Sequence, residues 1–219
     1  MKKQPFILDA CTLINLLRID ENEILYKHLS SYNIHIAETV FIEFKNNIFK
    51  NGYTKEMHER IDRYLPSFSK LIELDENIRN NINGINDTYC DRVQELTQHN
   101  KYDGELYSLL LSLYLSRYEM THVNFYTDDK PAMNQFQEYF KIQQLGMMGD
   151  SVDLLLYMFC HSDNISEIDF RRFLESLKSE YSIRERIFVK KIEEYRTKIT
   201  NIKPRKDIVT KLNCIIYNY

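Results

Sequence analysis

Apolar and polar positions along this chain switch between two periods, and the switches mark its elements. Phe6-Ile7-Leu8 is short and wholly apolar, which predicts a strand buried on both faces. Leu13, Ile14, Leu16 and Leu17 follow at helical spacing, and Ile24, Leu25, His28 and Leu29 share one side of a short helix over 23–30. Ile34 and Ile36 alternate with polar neighbours, the period of a second strand over 33–37. Thr39 reads as the N-cap of a helix that carries Val40, Phe41 and Phe44, with Glu43 near its first turn. A further helix lies between Gly52 and Pro66, and Leu71, Ile72 and Leu74 make a weak strand. Ile78, Ile82, Ile85, Tyr89, Val93 and Leu96 keep helical spacing from Asp75 onward.

Asp103-Gly104-Glu105 opens the next helix, with Leu106, Leu109, Leu110, Leu113 and Tyr114 as its stripe. A strand over 123–126 stops at Thr127-Asp128-Asp129, and Lys130-Pro131 starts a helix with proline in the first turn. A last strand is expected over 141–145 and a last core helix over 150–160. Past His161 every pattern is helical. Ser166 with Asp169, and Ser182 with Glu185, have capping-box spacing. The first opens a helix with Phe170, Phe173, Leu174 and Leu177 on one face; the second opens one with Phe188, Ile192, Tyr195 and Ile199. Pro204 ends it, and 207–219 is a short final helix. The expectation is an α/β fold with a mainly parallel central sheet flanked by helices, plus an all-helical C-terminal extension.

Composition narrows the classes. With 43% hydrophobic and 28% charged residues in 219, the chain can bury a core and is not disordered. Five Gly and four Pro exclude collagenous or linker-dominated architectures. No apolar run approaches the ~18 residues needed to span a bilayer. Three apolar residues before Asp9 are too few for a signal-peptide core, so a cytoplasmic protein with no membrane role is expected. Cys11, Cys90, Cys160 and Cys214 are far apart and read as plain buried or half-buried thiols, not as a disulfide framework or zinc site.

Charge is unevenly placed. Residues 170–219 hold 13 of the 29 Lys and Arg but 6 of the 32 Asp and Glu, a local balance of +7. The remainder holds 16 basic and 26 acidic residues, a balance of −10. An acidic body with a basic tail reads either as a body with a solvated helical tail or as an acidic metal site joined to a polyanion-contacting segment. Lys190, Lys191 and Arg196 are the candidate phosphate contacts.

Asp9, Asp128 and Asp129 stand at the carboxyl ends of predicted strands. Glu43 and Glu105 stand near helix starts that open at the same edge of a parallel sheet. Ligands in such sheets bind at that edge. Each residue alone is an ordinary cap or turn residue; together they form a repulsive cluster, which helix dipoles offset by only ~0.3–1 kcal/mol each. Oxygen-only donors favour Mg²⁺ or Mn²⁺, which can activate water for attack on a phosphodiester. Thr12 and Asn15, close to Asp9, could orient ligand waters.

At these positions the chain resembles the PIN-domain family. Phe6-Ile7-Leu8-Asp9-Ala10-Cys11-Thr12-Leu13-Ile14-Asn15-Leu16-Leu17 looks like the family's opening strand, acid and helix. Glu43 after Thr39-Val40-Phe41-Ile42 looks like its second acid. Asp103-Gly104-Glu105-Leu106 is similar to the Gly-Glu helix start of one branch, and Tyr126-Thr127-Asp128-Asp129-Lys130 to the element carrying the last acid. The likeness covers roughly 5–160, giving a PIN-like nuclease domain over 1–161 and a basic helical extension over 162–219. It implies a Rossmann-like three-layer fold and a metal-dependent endoribonuclease like the VapC toxins, with Asp9, Glu43, Glu105 and Asp129 catalytic and Asp128 beside them. A cognate antitoxin and a homodimer are implied partners; a toxin, a phage-defence effector and a housekeeping RNase stay open as its setting. A DNA-directed nuclease with the same acids, or a catalytically inactive PIN binding module, are the alternatives. A haloacid-dehalogenase-type phosphatase would need a second Asp where Cys11 stands.

Overall fold

The structure is a computed structural model that describes residues 4–50, 54–64, 71–72, 104–161, 165–181, 189–194, 196–197 and 212. Its strands are β1 (Pro5–Leu8), β2 (Asn33–Ala37), β3 (Leu71–Ile72), β4 (Val123–Tyr126) and β5 (Gly146–Gly149). Its helices are α1 (Ala10–Ile19), α2 (Ile24–Leu29), α3 (Glu38–Lys50), α4 (Lys55–Tyr64), α5 (Gly104–Tyr118), α6 (Lys130–Gln143), α7 (Ser151–His161) and α8 (Glu167–Tyr181).

All four strand pairings are parallel, in the order β3-β2-β1-β4-β5. Every residue of β1 and β4 is buried, as the unbroken apolar run of β1 requires of a strand covered on both faces. Helices flank the sheet in an arrangement consistent with three α/β layers, as expected. The chain leaves β1 for β2 and β3 on one side, then returns to β4 and β5 on the other. The order therefore reverses at the β1/β4 boundary. Register there pairs Phe6 with Asn124, Ile7 with Phe125 and Leu8 with Tyr126. Asp9 N–H continues the ladder to the Tyr126 carbonyl at 3.1 Å, and Thr127 N–H to the Gly149 carbonyl at 2.9 Å. Three successive strand ends, at Asp9, Thr127 and Asp150, are thereby set side by side.

Three expected elements differ. The last strand is not 141–145, because α6 keeps its apolar face through Phe136 and Phe140 and ends only at Gln144, in the left-handed region. The strand follows as Gly146–Gly149. Gly146 has φ +146°, and a Cβ on it would lie 2.0 Å from the Val123 carbonyl oxygen, so glycine alone fits. Thr39 is not an N-cap: β2 passes into α3 without a loop, leaving Thr39 inside the first turn. The α5 stripe is wider than expected, since Ser108, Leu111, Ser112 and Leu115 are buried as well.

Past residue 161 the Ser166–Asp169 capping box is formed, with Asp169 N–H donating to Ser166 Oγ at 3.1 Å. Phe170, Phe173, Leu174 and Leu177 of α8 are buried in the same core as the sheet, and Phe170 stacks on Phe159 at 4.4 Å. Residues 189–194 and 196–197 are helical, with Ile192 buried; Leu212 is helical and buried too. The helix expected from Asp75 to Leu96, the Ser182–Glu185 box, Phe188, Tyr195, Ile199 and the rest of 207–219 lie outside the described residues.

Candidate active site

Strand ends and helix starts build this site. Asp9 follows β1 and caps α1, its Oδ1 accepting Ala10 N–H at 2.7 Å. Its Oδ2 accepts the Cys11 thiol at 2.9 Å and the Thr127 hydroxyl at 2.8 Å. Oδ2 is then filled, while Oδ1 keeps one lone pair. Burial drives the Asp9 pKa up, and Asp129 adds to the rise; bonds from Cys11, Thr127 and Ala10 act against it. Cys11 is no bystander thiol. It donates to Asp9 and accepts from Asp128 N–H at 3.2 Å, and burial followed by the Asp9 charge pushes its pKa up, so it stays protonated as a donor.

Asp128 and Asp129 part company, as neighbouring residues leaving a strand must. Asp129 caps α6, its Oδ1 accepting Ala132 N–H at 2.8 Å and its own N–H bonding Thr127 Oγ1 at 3.1 Å. Asp128 turns to α1 and α7. Its Oδ2 accepts Asn15 Nδ2 at 2.7 Å, Thr12 Oγ1 at 3.3 Å and the Ser151 hydroxyl; its Oδ1 accepts Ser151 N–H at 3.1 Å. Burial raises its pKa first, bonds from Ser151 lower it, and Asp150 raises it further. Thr12 and Asn15 are thus buried donors to Asp128.

Glu43 and Glu105 form the second acidic group. Glu43 is exposed in the second turn of α3 and Glu105 half-buried at the start of α5. The two helices meet where Gly104 opens α5. A Cβ there would lie 2.5 Å from Glu43 Oε2 and 3.2 Å from Val40 Cγ2. The missing side chain makes the space that the Glu43 carboxylate fills, next to Glu105. The structure thus brings Asp9 together with Asp129 past the ends of β1 and β4, and Glu43 with Gly104-Glu105 where α3 meets α5. Among the described residues, no group of three or more His, Cys, Asp or Glu is arranged to hold a metal ion.

The donor chemistry nonetheless fits a hard cation. All candidate donors are carboxylate oxygens, and a buried Asp9 repelled by Asp129 gains from a positive neighbour.

A further ionic cluster adjoins the site. Asp150 caps α7, accepting from Val152 N–H at 3.0 Å and Asp153 N–H at 3.1 Å, and its own N–H donates to Asp153 Oδ2 at 3.1 Å. Lys191, from the C-terminal segment, donates to Asp150 Oδ2 and, at 3.1 Å, to Asp153 Oδ2. Burial lowers the Lys191 pKa, but Asp153 and Asp150 more than offset this, and the net shift is upward. Burial, then Asp150, pushes Asp153 up despite Lys191. Lys190 is exposed, with Glu194 at 3.7 Å, and Arg196 is half-buried.

Sequence reasoning misses Cys11, Thr127, Ser151, Asp150 and Asp153. One signal for them exists: Asp150 and Asp153 have the same capping-box spacing as Ser166 and Asp169. No family model matches the chain, and no curated protein or solved structure matches it.

Proposed function

We propose that this chain is a PIN-type, metal-dependent endoribonuclease acting in the cytoplasm, with toxin–antitoxin or phage-defence activity as its setting. One observation carries the reading: at the β1/β4 switch point, where open parallel sheets bind ligands, the chain places a buried Asp9 beside Asp129. Asp9 through Oδ1, and Asp129 through the oxygen that does not cap α6, would hold Mg²⁺ or Mn²⁺; Glu43 and Glu105 would join the donor set only by a movement of α3 and α5 toward that pair, since among the described residues no three acids are grouped. When bound, such a cation supplies water activation and charge stabilisation for in-line phosphodiester attack.

The chain's own residues do the rest. Thr127 and Cys11 hold the Asp9 carboxylate in one orientation, so no reorganisation is required when substrate arrives. Asp128 acts from behind, tying α1 to α7 through Asn15 and Ser151. Glu43, exposed beside the α5 start, is accessible to a strand lying across the edge.

The test is cleavage of labelled single-stranded RNA, single-stranded DNA and duplex DNA, each with Mn²⁺ or EDTA. Mn²⁺-dependent endonucleolytic cutting of RNA alone is expected. Cutting of DNA in preference to RNA makes the chain a DNA-directed nuclease. Binding without cleavage of any substrate makes it a binding module.

A further inference from the structure

Among the candidate phosphate contacts, Lys191 has surroundings on the body that give it another task. Its neighbour Ile192 is already buried in the core, so the segment has an apolar anchor without the lysine. Bringing an ammonium group to a half-buried position costs desolvation, and a residue needed only for anchoring would be apolar. What Lys191 reaches is a pair of like charges, Asp150 and Asp153, that close the first turn of α7.

That turn is connected to the acidic edge by unbroken bonds. Asp150 fixes the amides of Val152 and Asp153. Next to Asp150 sits Ser151, which gives both its N–H and its hydroxyl to Asp128. Asp128 in turn receives Asn15 and Thr12 of α1, and its N–H bonds the Cys11 sulfur that holds Asp9. Without a cation, Asp150 and Asp153 would repel across that turn, and the charge of Asp150 would weigh more heavily on Asp128.

We propose that Lys191 is a positioning residue: a tethered cation that locks the α7 start and, through Ser151 and Asp128, sets the acidic edge. Lys191 is then part of the site and not one of the phosphate contacts, whatever its exposed neighbour Lys190 does. The kinetic arm of the test rests on the nuclease reading; the structural arm does not.

Lys191→Met and Lys191→Arg are compared with wild type by amide hydrogen exchange of the full chain. In Lys191→Met the amides of Ser151, Val152 and Asp153 should exchange roughly tenfold faster, since each bond given to an ionised group is a strong one. The amides of Ala132 and Met133 at the α6 start should be unchanged, and Lys191→Arg should restore protection. In Mn²⁺-dependent RNA cleavage, Lys191→Met should lower kcat about 10–100-fold with KM unchanged, the usual cost of removing a support behind a ligand.

Uniform acceleration of all amides would overturn the proposal in favour of a general strut. Unchanged α7 protection would overturn it outright. A raised KM with a shallower salt dependence would make Lys191 a phosphate contact instead. If wild type cuts no RNA, the nuclease reading falls and the exchange data still decide the positioning role. Should Lys191→Met not fold, Lys191→Met combined with Asp153→Asn, which removes the repulsion that the lysine offsets, must fold and regain α7 protection or the proposal fails.

Discussion

Gly104→Ala separates stability from chemistry at this edge. The backbone of Gly104 is not left-handed, so what the glycine provides is space, not conformational freedom. An added Cβ would lie 2.5 Å from Glu43 Oε2, against an ordinary contact of 3.4 Å. The carboxylate must therefore withdraw by about 1 Å, a displacement that at a reacting centre costs on the order of 100-fold in rate. Folding is affected little. The carboxylate is the end of a flexible, exposed side chain and moves cheaply. The 3.2 Å approach to Val40 Cγ2 asks for a few tenths of an ångström from a buried neighbour. Against that, alanine gains up to ~1 kcal/mol over glycine in a helix, less at its first residue. The net change should stay within about 1 kcal/mol, or roughly 2–4 °C in Tm for a chain of this size.

The assay is single-turnover RNA cleavage at saturating Mn²⁺, beside thermal melting. A double-mutant cycle with Glu43→Gln sharpens it: if alanine acts only through Glu43, adding it to the Glu43→Gln variant should change nothing further. A folded Gly104→Ala protein with wild-type turnover would refute the placement of Glu43 in the reaction. Effects that multiply in the double mutant would show that alanine acts elsewhere, through Val40 or Glu105.

Three further outcomes are expected. Asp9→Asn should abolish cleavage yet raise stability at neutral pH. Its carboxyl is pushed up in the fold, so the native state binds its proton more tightly than the unfolded chain. Stability is full below the unfolded carboxyl value and is lost as pH rises through the folded one; urea melts of the Asn variant should show a smaller loss across that window. Phe170→Ala should cost about 3–5 kcal/mol, because Phe170 is fully buried on Phe159. Ile168→Ala, at a position 80% exposed, is the neutral control, and equal melts for the two would show that α8 is not part of the core. Finally, Lys190→Glu with Arg196→Glu should reduce the slope of log affinity against log salt for single-stranded RNA by about 0.7 for each phosphate no longer neutralised. An unchanged slope would remove both from the interface.

The legible parts of this fold are those that local period and sterics determine. A wholly apolar Phe6-Ile7-Leu8 has one low-cost destination, a strand with both faces covered, and that puts Asp9 at its carboxyl end. The 33–37 alternation and the Pro131 helix start are local in the same sense. Where two local signals compete, the pattern misleads. Lys141 to Leu145 is a short stretch before a glycine, but its apolar residues Ile142 and Leu145 are three apart, Phe136 and Phe140 already commit the chain to helix, and the clash a Cβ would make at Gly146 shows where the strand begins. At the site, charge and strand-end position point to Asp9, Glu43, Glu105 and Asp129. Some partners do not show because they are made across 113 to 118 residues of chain, as with Asn15 to Asp128 and Thr127 to Asp9; Cys11 lies two residues from Asp9, but nothing in its type marks it as that carboxylate's donor. Thr12 and Asn15 look like water-orienting groups because Asp128 is invisible from their position in the sequence.

The charge asymmetry has a meaning in the fold that its sequence position hides. A body at −10 beside a tail at +7 suggests two surfaces waiting for different partners. The described part of the tail, however, uses much of its charge internally. Arg171 pairs with Glu167, Arg172 with Asp169, Lys190 with Glu194, and Lys191 with Asp150 and Asp153. The first three are exposed or half-exposed pairs within one helix and contribute a few tenths of a kcal/mol each. Lys191, by contrast, crosses to the body, and it meets the acidic side where Asp150 already weighs on Asp128. The body's negative charge is therefore not uniform at the sheet edge. One part, at Asp150 and Asp153, is partly offset by Lys191 of the chain itself; at the other, Asp129 adds to the rise of the Asp9 pKa. A divalent cation beside Asp9 and Asp129 would relieve that repulsion at the β1/β4 switch point, which is where the proposed chemistry needs it.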